Sequence, residues 1–500
     1  MVTEPAVSDS VLIRESAPYG DASSYGPVMD IRSEKVSNPA AGGRASAFVR
    51  ASGPAVTAVS AMAALAMATA PLPPAATAAA VDTGLAGGAA APGFHWGVAT
   101  SGFQVEGSNP DSNWKRYSDS AAPAGQADPV GDAVDFWNRY PEDIANAAAM
   151  GVNTFRLSVE WARIEPAPGR YDDAALAHYD RIIDTIRAHG MTPMITMVHF
   201  VYPGWLADEG GMLAPGAADA FGRFADLITD RWAGDGTLWV TFNEPLVFFK
   251  HEMTIGRVGL PDFSRFLDAV VAAHRLGYAA AHRADPDAMV TMNEAYLPLA
   301  TEFTDTLVSD RVADAVDYVG IDYYYGVALN NFTAAHAAVD DFAAVRPQPD
   351  GIYEAIQHYA RSYPGKPIYI VENGMPTRGG GRADGIERGD FLRDTVFWLQ
   401  RAVADGYPVI GYNHWSLVDN YEWGDYSARF GLYTVDALSD PALTRRPTSG
   451  VEAYREIIAA GGVEPGYRPV LPPAWCSLAT IPDSCLNPAR ADGLLAKLPE

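Results

Sequence analysis

Cysteine is nearly missing from this 500-residue chain: there are two, Cys476 and Cys485, both close to its end. A fold stapled throughout by disulfides is therefore excluded. A Cys-x8-Cys pair with no histidine nearby also makes a poor zinc site. Two readings remain for the pair, a small staple in an oxidising compartment or two thiols in a reducing one. Positive charge is scarce as well, with 36 Lys and Arg against 61 Asp and Glu and a formal net charge of −25. Such a surface repels a phosphate backbone and an anionic membrane, so no nucleic-acid partner is expected and neutral small molecules suit it better. Outside one weakly apolar, Ala-rich run, no stretch approaches the roughly 18 apolar residues of a membrane span. What the chain does have is 48% hydrophobic and 11% aromatic residues, enough for a large soluble core.

Residues 1–92 are rich in Ala, Ser, Pro and Gly without a sustained period, and read as a disordered or cleaved leader outside the fold. Within it, Arg44 and Arg50 precede the Ala-rich run Ala55–Ala70, then Pro71, Pro73 and Pro74, then Ala76–Ala80. The order basic, apolar, small is that of a secretory signal spanning about 44–80, with cleavage near Ala78–Ala80. It starts far from Met1, which makes Met29 a candidate start. The expectation is a secreted or extracytoplasmic protein with no membrane partner after cleavage. An uncleaved anchor, or a cytoplasmic protein with a plain Ala-rich leader, are the alternatives.

From 93 to 462, short β-rich apolar runs alternate with helical patterns, as repeated βα units do. Eight strands are predicted: 94–100, 154–161, 192–200, 238–245, 289–294, 318–324, 367–373 and 409–416. Eight parallel strands close a (β/α)8 TIM barrel of α/β class. Between them, 173–189 places Leu176, Tyr179, Ile182, Ile183 and Ile186 at helical spacing before Gly190. Residues 463–500, with Pro465, Pro469, Pro472 and Pro473, read as a C-terminal arm over the barrel.

Several strands finish with polar or aromatic residues their apolar interiors do not require: Glu160, Trp161, His199, Asn243, Glu244, Glu294, Asp322, Tyr324, Glu372, Asn373 and Trp415. In a parallel barrel these ends converge on one face, where active sites form. Glu244 and Glu372 stand at the ends of predicted strands four and seven, so the barrel can bring them together although the chain separates them widely. Two facing carboxyls are what glycoside hydrolysis needs, one to protonate the departing oxygen and one to attack the anomeric carbon or activate water. Arg156 on strand two can hold one of them ionised, leaving the other to keep its proton. Trp415 to Trp423 mixes indole, carboxylate and amide, which suits the apolar face and hydroxyls of a sugar. Taken singly, each feature also has a plainer reading: an N-cap or solvated loop carboxylate for Glu244, a buried structural pair for Glu372 and Arg156, core packing for the tryptophans.

Together the motifs resemble the family 1 glycoside hydrolases, retaining β-glucosidases and β-galactosidases of (β/α)8 type. The likeness runs from Phe94 to about Asp436 and includes Phe94–Gly107, Arg139–Ile164, Thr241–Pro245 (TFNEP), Gly320–Tyr324, Ile370–Gly374 (IVENG) and Trp415–Tyr433. The resemblance implies Glu372 as nucleophile and Glu244 as acid/base, with Arg156 and Tyr324 touching the nucleophile. It implies that Gln104, His199, Asn243, Glu422 and Trp423 hold the terminal sugar's hydroxyls and that Trp415 forms the floor under its ring. It implies no metal and no organic cofactor. The expected substrate is a small β-glycoside or short oligosaccharide, cleaved by an exo-acting enzyme through a glycosyl-enzyme intermediate; an endo-acting glycanase, a transglycosidase and a non-enzymatic carbohydrate-binding barrel are the competing readings. This chain departs from the pattern in three places. His199-Phe200 replaces His-Trp, Asp322-Tyr323-Tyr324 replaces Asn-Tyr-Tyr, and the stretch between Asn293 and Asp317 is short. Glu422, with no Lys in 423–433, argues against a phosphorylated sugar.

Overall fold

In the computed structural model, residues 93–486 are described, apart from 299, 340 and 482. The leader of residues 1–92 and the end of the arm, 487–500, lie outside the described residues. Eight parallel strands close into a barrel in sequence order: β1 (His95–Ala99), β2 (Thr154–Ser158), β3 (Thr192–Val198), β4 (Leu238–Asn243), β5 (Met289–Ala295), β6 (Val319–Asp322), β7 (Ile368–Asn373) and β8 (Val409–Trp415), the last pairing back onto β1. All eight coincide with predicted runs. Six end one to three residues earlier than predicted, at Ala99, Ser158, Val198, Asn243, Asp322 and Trp415; β2 loses most, because Glu160 opens a short helix, Trp161–Ile164.

The strands are buried on both faces, which is why they read as continuous apolar runs and not as alternations. The barrel's interior holds Met194, Leu238, Val240, Tyr318, Tyr369 and Val371 as a packed cluster separate from the larger core between strands and helices. Large side chains fit there only because neighbouring positions carry none. A Cβ on Gly97 would overlap Asn413 Oδ1, and one on Gly411 would overlap the ring of Tyr369.

The principal covering helices are α1 (Phe136–Ala149), α2 (Asp173–Ala188), α3 (Ala217–Trp232), α4 (Pro245–Thr254), α5 (Phe263–Ala284), α6 (Gly351–Ser362), α7 (Arg388–Ala404) and α8 (Ser449–Ala460). Helix α2 shows how sequence makes such an element. Asp172 caps it by accepting from the N–H groups of Ala174 and Ala175 at 2.8 and 3.0 Å, the apolar stripe Leu176, Tyr179, Ile182, Ile183 and Ile186 is buried, and Gly190 leaves it at φ +76°. Between β5 and β6 the described residues form two short helical pieces, Thr301–Leu307 and Ser309–Val312, in agreement with the short stretch noted above. None of the described helices is long and apolar enough to cross a membrane.

The arm runs back across the outside of the barrel. Tyr467 Oη and the N–H groups of Val470 and Leu471 all reach the carboxylate of Asp394 on α7, at 2.6, 2.9 and 2.7 Å. Further on, Ala474 N–H reaches Asp350 at 2.9 Å and Leu478 N–H reaches the carbonyl of Val327 at 2.9 Å. Cys476 and Cys485 are joined in a disulfide, so the pair forms a small staple.

Candidate active site

The strand ends do not project their side chains by regular pleating alone. Pairing registers shift between Val240 and Asn243, between Ile321 and Asp322, and between Ile370 and Asn373, all at the C-terminal rim. Such irregularities re-aim side chains, and they cluster beside active sites. Glu244 goes further: it leaves β4 with φ +38° and ψ 72°, a left-handed conformation for a side-chain-bearing residue, with Pro245 as the first residue of α4. That conformation costs on the order of 1–3 kcal/mol and persists where the surroundings over-determine it. Here the N–H of Glu244 is tied to the carbonyl of Asn293 at 3.1 Å.

Glu372, at the end of β7, is 3% exposed, and Arg156 beneath it is wholly buried. Arg156 Nη1 donates to Glu372 Oε1, Nη2 donates to Asn243 Oδ1 at 2.6 Å, and Nε donates to Thr196 Oγ1 at 3.0 Å. Tyr324 Oη donates to the other oxygen of Glu372 at 2.7 Å. Both oxygens of this carboxylate thus accept from strong donors, one of them a full cation.

Glu244 has the opposite surroundings. Burial pushes its carboxyl well above the ordinary range, and the negative charge of Glu372 pushes it the same way; Arg156 and Lys250 oppose them weakly. The polar contact offered to its Oε2 is the Asn243 amide at 3.4 Å. One carboxyl bonded to a guanidinium and a phenol beside one pushed toward its protonated form is the division of labour that acid-assisted displacement at a sugar requires.

Around this pair lie the residues singled out as sugar contacts. Gln104, on a short helix after β1, is fixed by donating Nε2 to Asn420 Oδ1 at 2.9 Å and to the carbonyl of Tyr421 at 3.1 Å, which leaves its buried Oε1 without a protein partner. His199 is buried with Nδ1 unpartnered; burial, then the charge of Arg156, holds it well below its ordinary value and so neutral. Its ring lies nearly parallel to Trp415 and Trp423, at 5.6 and 5.9 Å. Trp415, joined to Ser416 by a cis peptide, donates Nε1 to Glu422 Oε1 at 3.3 Å. Burial, partly offset by that bond, raises Glu422 to about 8. Phe200, where an indole was expected, packs against His251 and Trp423 at 4.8 and 5.1 Å and braces the tryptophan without offering a donor.

Other strand-end residues serve the scaffold. Glu160 accepts from Phe103 N–H at 2.9 Å, and Trp161 stacks on Phe224 and donates to Glu165 at 2.7 Å, so both belong to the wall. Asn373 bonds Tyr323 and Tyr412 at 2.6 and 3.0 Å, shaping the turn as expected. Asp419 turns back onto Gly431, Thr434 and Val435. One participant was passed over in the sequence: Asn293, wholly buried, donates Nδ2 both to Asn243 Oδ1 at 2.7 Å and to Asp322 Oδ2. Its signal was the amide beside Glu294 at the end of β5.

Comparison with known proteins settles the family. The chain matches the model of glycosyl hydrolase family 1 over residues 89–297 and 286–463. It belongs to that family. Within glycosyl hydrolase family 1 it is 28% identical over 416 residues to a 1,4-beta-D-glucan glucohydrolase of Thermotoga neapolitana, covering 69% of this chain and 97% of the relative. It is 28% identical over 444 residues to beta-glucosidase A of Thermotoga maritima, covering 74% and 98%. Among solved structures, a beta-glucosidase from Thermotoga maritima in complex with deoxynojirimycin superposes with a TM-score of 0.65 at 25% identity, over 75% of this chain and all of that one. The family 1 chain is accordingly a glycoside hydrolase on a (β/α)8 barrel, in agreement with the sequence reading.

Proposed function

We propose that the protein is a retaining, exo-acting β-glucosidase in which Glu372 is the nucleophile and Glu244 the acid/base. The observation that carries this reading is the asymmetry of the two carboxyls: Glu372 receives Arg156 and Tyr324, whereas burial and the charge of Glu372 push Glu244 beside it toward its protonated form. In the first step an oxygen of Glu372 attacks the anomeric carbon. The bond to the aglycone oxygen breaks, and that oxygen takes its electron pair and the proton of Glu244. In the second, the Glu244 carboxylate takes a proton from water as the water oxygen attacks the anomeric carbon. Glu372 departs and the sugar leaves with its β configuration. Gln104, His199, Asn243, Glu422 and Trp423 hold hydroxyls, and Trp415 supports the ring. Support for glucose comes from the names of the Thermotoga relatives.

Replacing Glu372 by Gly tests the assignment. Turnover of an aryl β-glucoside should vanish, and added azide should restore aglycone release with an α-glucosyl azide as product. A fully active Glu372→Gly variant, or a β-azide, would sink it. A panel of aryl β-glucosides, galactosides and fucosides fixes the sugar, and oligosaccharide products from a β-glucan would favour the endo-acting alternative.

Export is the second part of the proposal, supported by the leader composition and by a disulfide of the kind that persists in oxidising compartments. Intact-mass analysis of mature protein beginning just after Ala80 is the expected result. A chain retained from Met1 or Met29 would contradict it.

A further inference from the structure

The hydrogen bonds around Asp322 fix which of its oxygens is an acceptor. Guanidinium groups only donate, so the atom of Asn243 facing Arg156 Nη2 is its oxygen. That same oxygen faces Asn293, which must therefore present its amide nitrogen. The amide nitrogen of Asn293 in turn donates to Asp322 Oδ2. The chain of assignments, anchored on an obligate donor, makes Asp322 Oδ2 the accepting oxygen. Its partner, Oδ1, is buried without a protein hydrogen bond, and Asp322 as a whole is 1% exposed.

Charge decides what Oδ1 carries. Three carboxyls, Glu244 from the end of β4, Asp322 from β6 and Glu372 from β7, influence one another in this buried space; Arg156 of β2 is the cation acting on all three, and Lys250 of α4 and Glu422 act on Glu244 as well. Strand β5 contributes the neutral Asn293, while its Glu294 is pushed well above its ordinary range by burial and then by Asp305, with Ser309 opposing and Glu244 adding to the rise. Tyr324, beyond the end of β6, is a phenol pushed well above its ordinary range by burial, and His199 of β3 is neutral. One guanidinium already committed to Glu372 does not offset a further buried negative charge on Asp322. A carboxylic acid with an accepting Oδ2 and a proton on Oδ1 presents the same donor and acceptor as the asparagine amide that stands here in the usual Asn-Tyr-Tyr pattern.

We propose that Asp322 is a positioning residue that works as a neutral acid, its Oδ1 proton standing in for an amide beside the nucleophile, so that loss of this proton switches glycosylation off. Ionised Asp322 would face Glu372 with a second negative charge and turn a donor into an acceptor. The inference rests on the reading of Glu372 and Glu244 given above.

The test removes the acid/base so that its own titration is silent. In a Glu244→Gln variant, 2,4-dinitrophenyl β-glucoside still glycosylates the enzyme because its leaving group needs no proton, and kcat/KM reports that step alone. With Asp322 intact, kcat/KM should still fall on the alkaline side by about tenfold per pH unit beyond a single ionisation. With Asp322→Asn added, the change over the same range should stay below about twofold, since the amide cannot ionise. A flat alkaline limb in the Glu244→Gln enzyme would overturn the proposal without any change at Asp322, and so would a fall at an unaltered pH in the double variant. Circular dichroism at each pH separates loss of a proton from loss of fold. The parent reading fails differently: were Glu244 not the acid, Glu244→Gln would slow dinitrophenyl and alkyl glucosides equally.

Discussion

Arg156 joins Glu372 to Asn243: one guanidinium nitrogen lies on the carboxylate of β7 and the other on the amide that immediately precedes Glu244. The proposed nucleophile and the root of the proposed acid/base are thus set by one side chain from a third strand. The ion pair is almost fully buried, at 0% and 4% side-chain exposure. Removing one partner of such a pair leaves a bare buried charge and costs about 3–5 kcal/mol. Arg156→Gln is therefore expected to lower the thermal midpoint markedly and reduce kcat/KM by at least about a thousandfold. Arg156→Lys should recover stability but not rate, because one ammonium cannot span Glu372 Oε1 and Asn243 Oδ1 as the guanidinium fork does. Thermal unfolding and steady-state kinetics on the two variants check this, and a Lys variant with near-native kcat would contradict it.

Tyr324 makes a single bond to Glu372, at 2.7 Å, and otherwise packs edge-on against Phe430 at 5.8 Å. Phe in its place keeps the packing and deletes the bond. A hydrogen bond to a charged group is worth about 1.5–3 kcal/mol, which corresponds to roughly 10- to 150-fold in kcat. The thermal midpoint should move little. A loss of fold in Tyr324→Phe, or an unchanged kcat, would show that the phenol does not act on the nucleophile.

The eight strands and the two glutamates were legible because parallel barrel strands are continuous apolar runs, and polar residues at their ends stand out against them. Which end residue faces the site was less so. Asn293 and Glu294 are adjacent, and the site uses the amide at the centre; the register shift between β4 and β5 that arranges this arises from how neighbouring strands fit. Likewise nothing in Trp415–Trp423 tells that Asp419 turns inward to cap a loop while Asn420 orients Gln104, since both outcomes depend on groups brought in from elsewhere in the chain, the N–H of Gly431 and the amide of Gln104.

Stability should fall on the alkaline side of neutrality. Burial raises Glu160 to about 8, Glu252 to about 7 and Asp350 to about 6, against 4.5 or 3.8 for unperturbed groups. A raised folded-state value gives stability that is complete below the unfolded value and is lost as pH climbs through the folded one. Buried histidines act in the other direction: His274 and His414, lowered by burial to about 4 and about 3, withdraw stability as pH falls below 6.5. Above 6.5 the histidines no longer change protonation in either state, and the acids act alone. The thermal midpoint is expected to drop by roughly 5 °C between pH 6.5 and 8.5, measured by calorimetry. A midpoint that rises over that interval would show that these acids are ionised in the folded protein.

Asp394 takes three hydrogen bonds from the arm, from Tyr467 Oη, Val470 N–H and Leu471 N–H, while sitting on the outer helix α7. Nothing in those contacts reaches the carboxyl pair. Replacing Asp394 by Ala deletes the acceptor for all three donors and leaves two backbone groups to find water, a loss of about 3 kcal/mol in the docking of the arm. Undocking exposes the chain around Tyr467 to Leu471, so limited proteolysis should cut there while the barrel remains intact. The arm also meets the barrel through Ala474, Leu478 and the carbonyl of Val327, contacts that do not depend on Asp394. For that reason kcat/KM should change by less than about threefold. Faster cleavage with retained activity would separate the arm's anchoring from catalysis, whereas a collapse of activity without cleavage would mean that Asp394 supports the barrel itself.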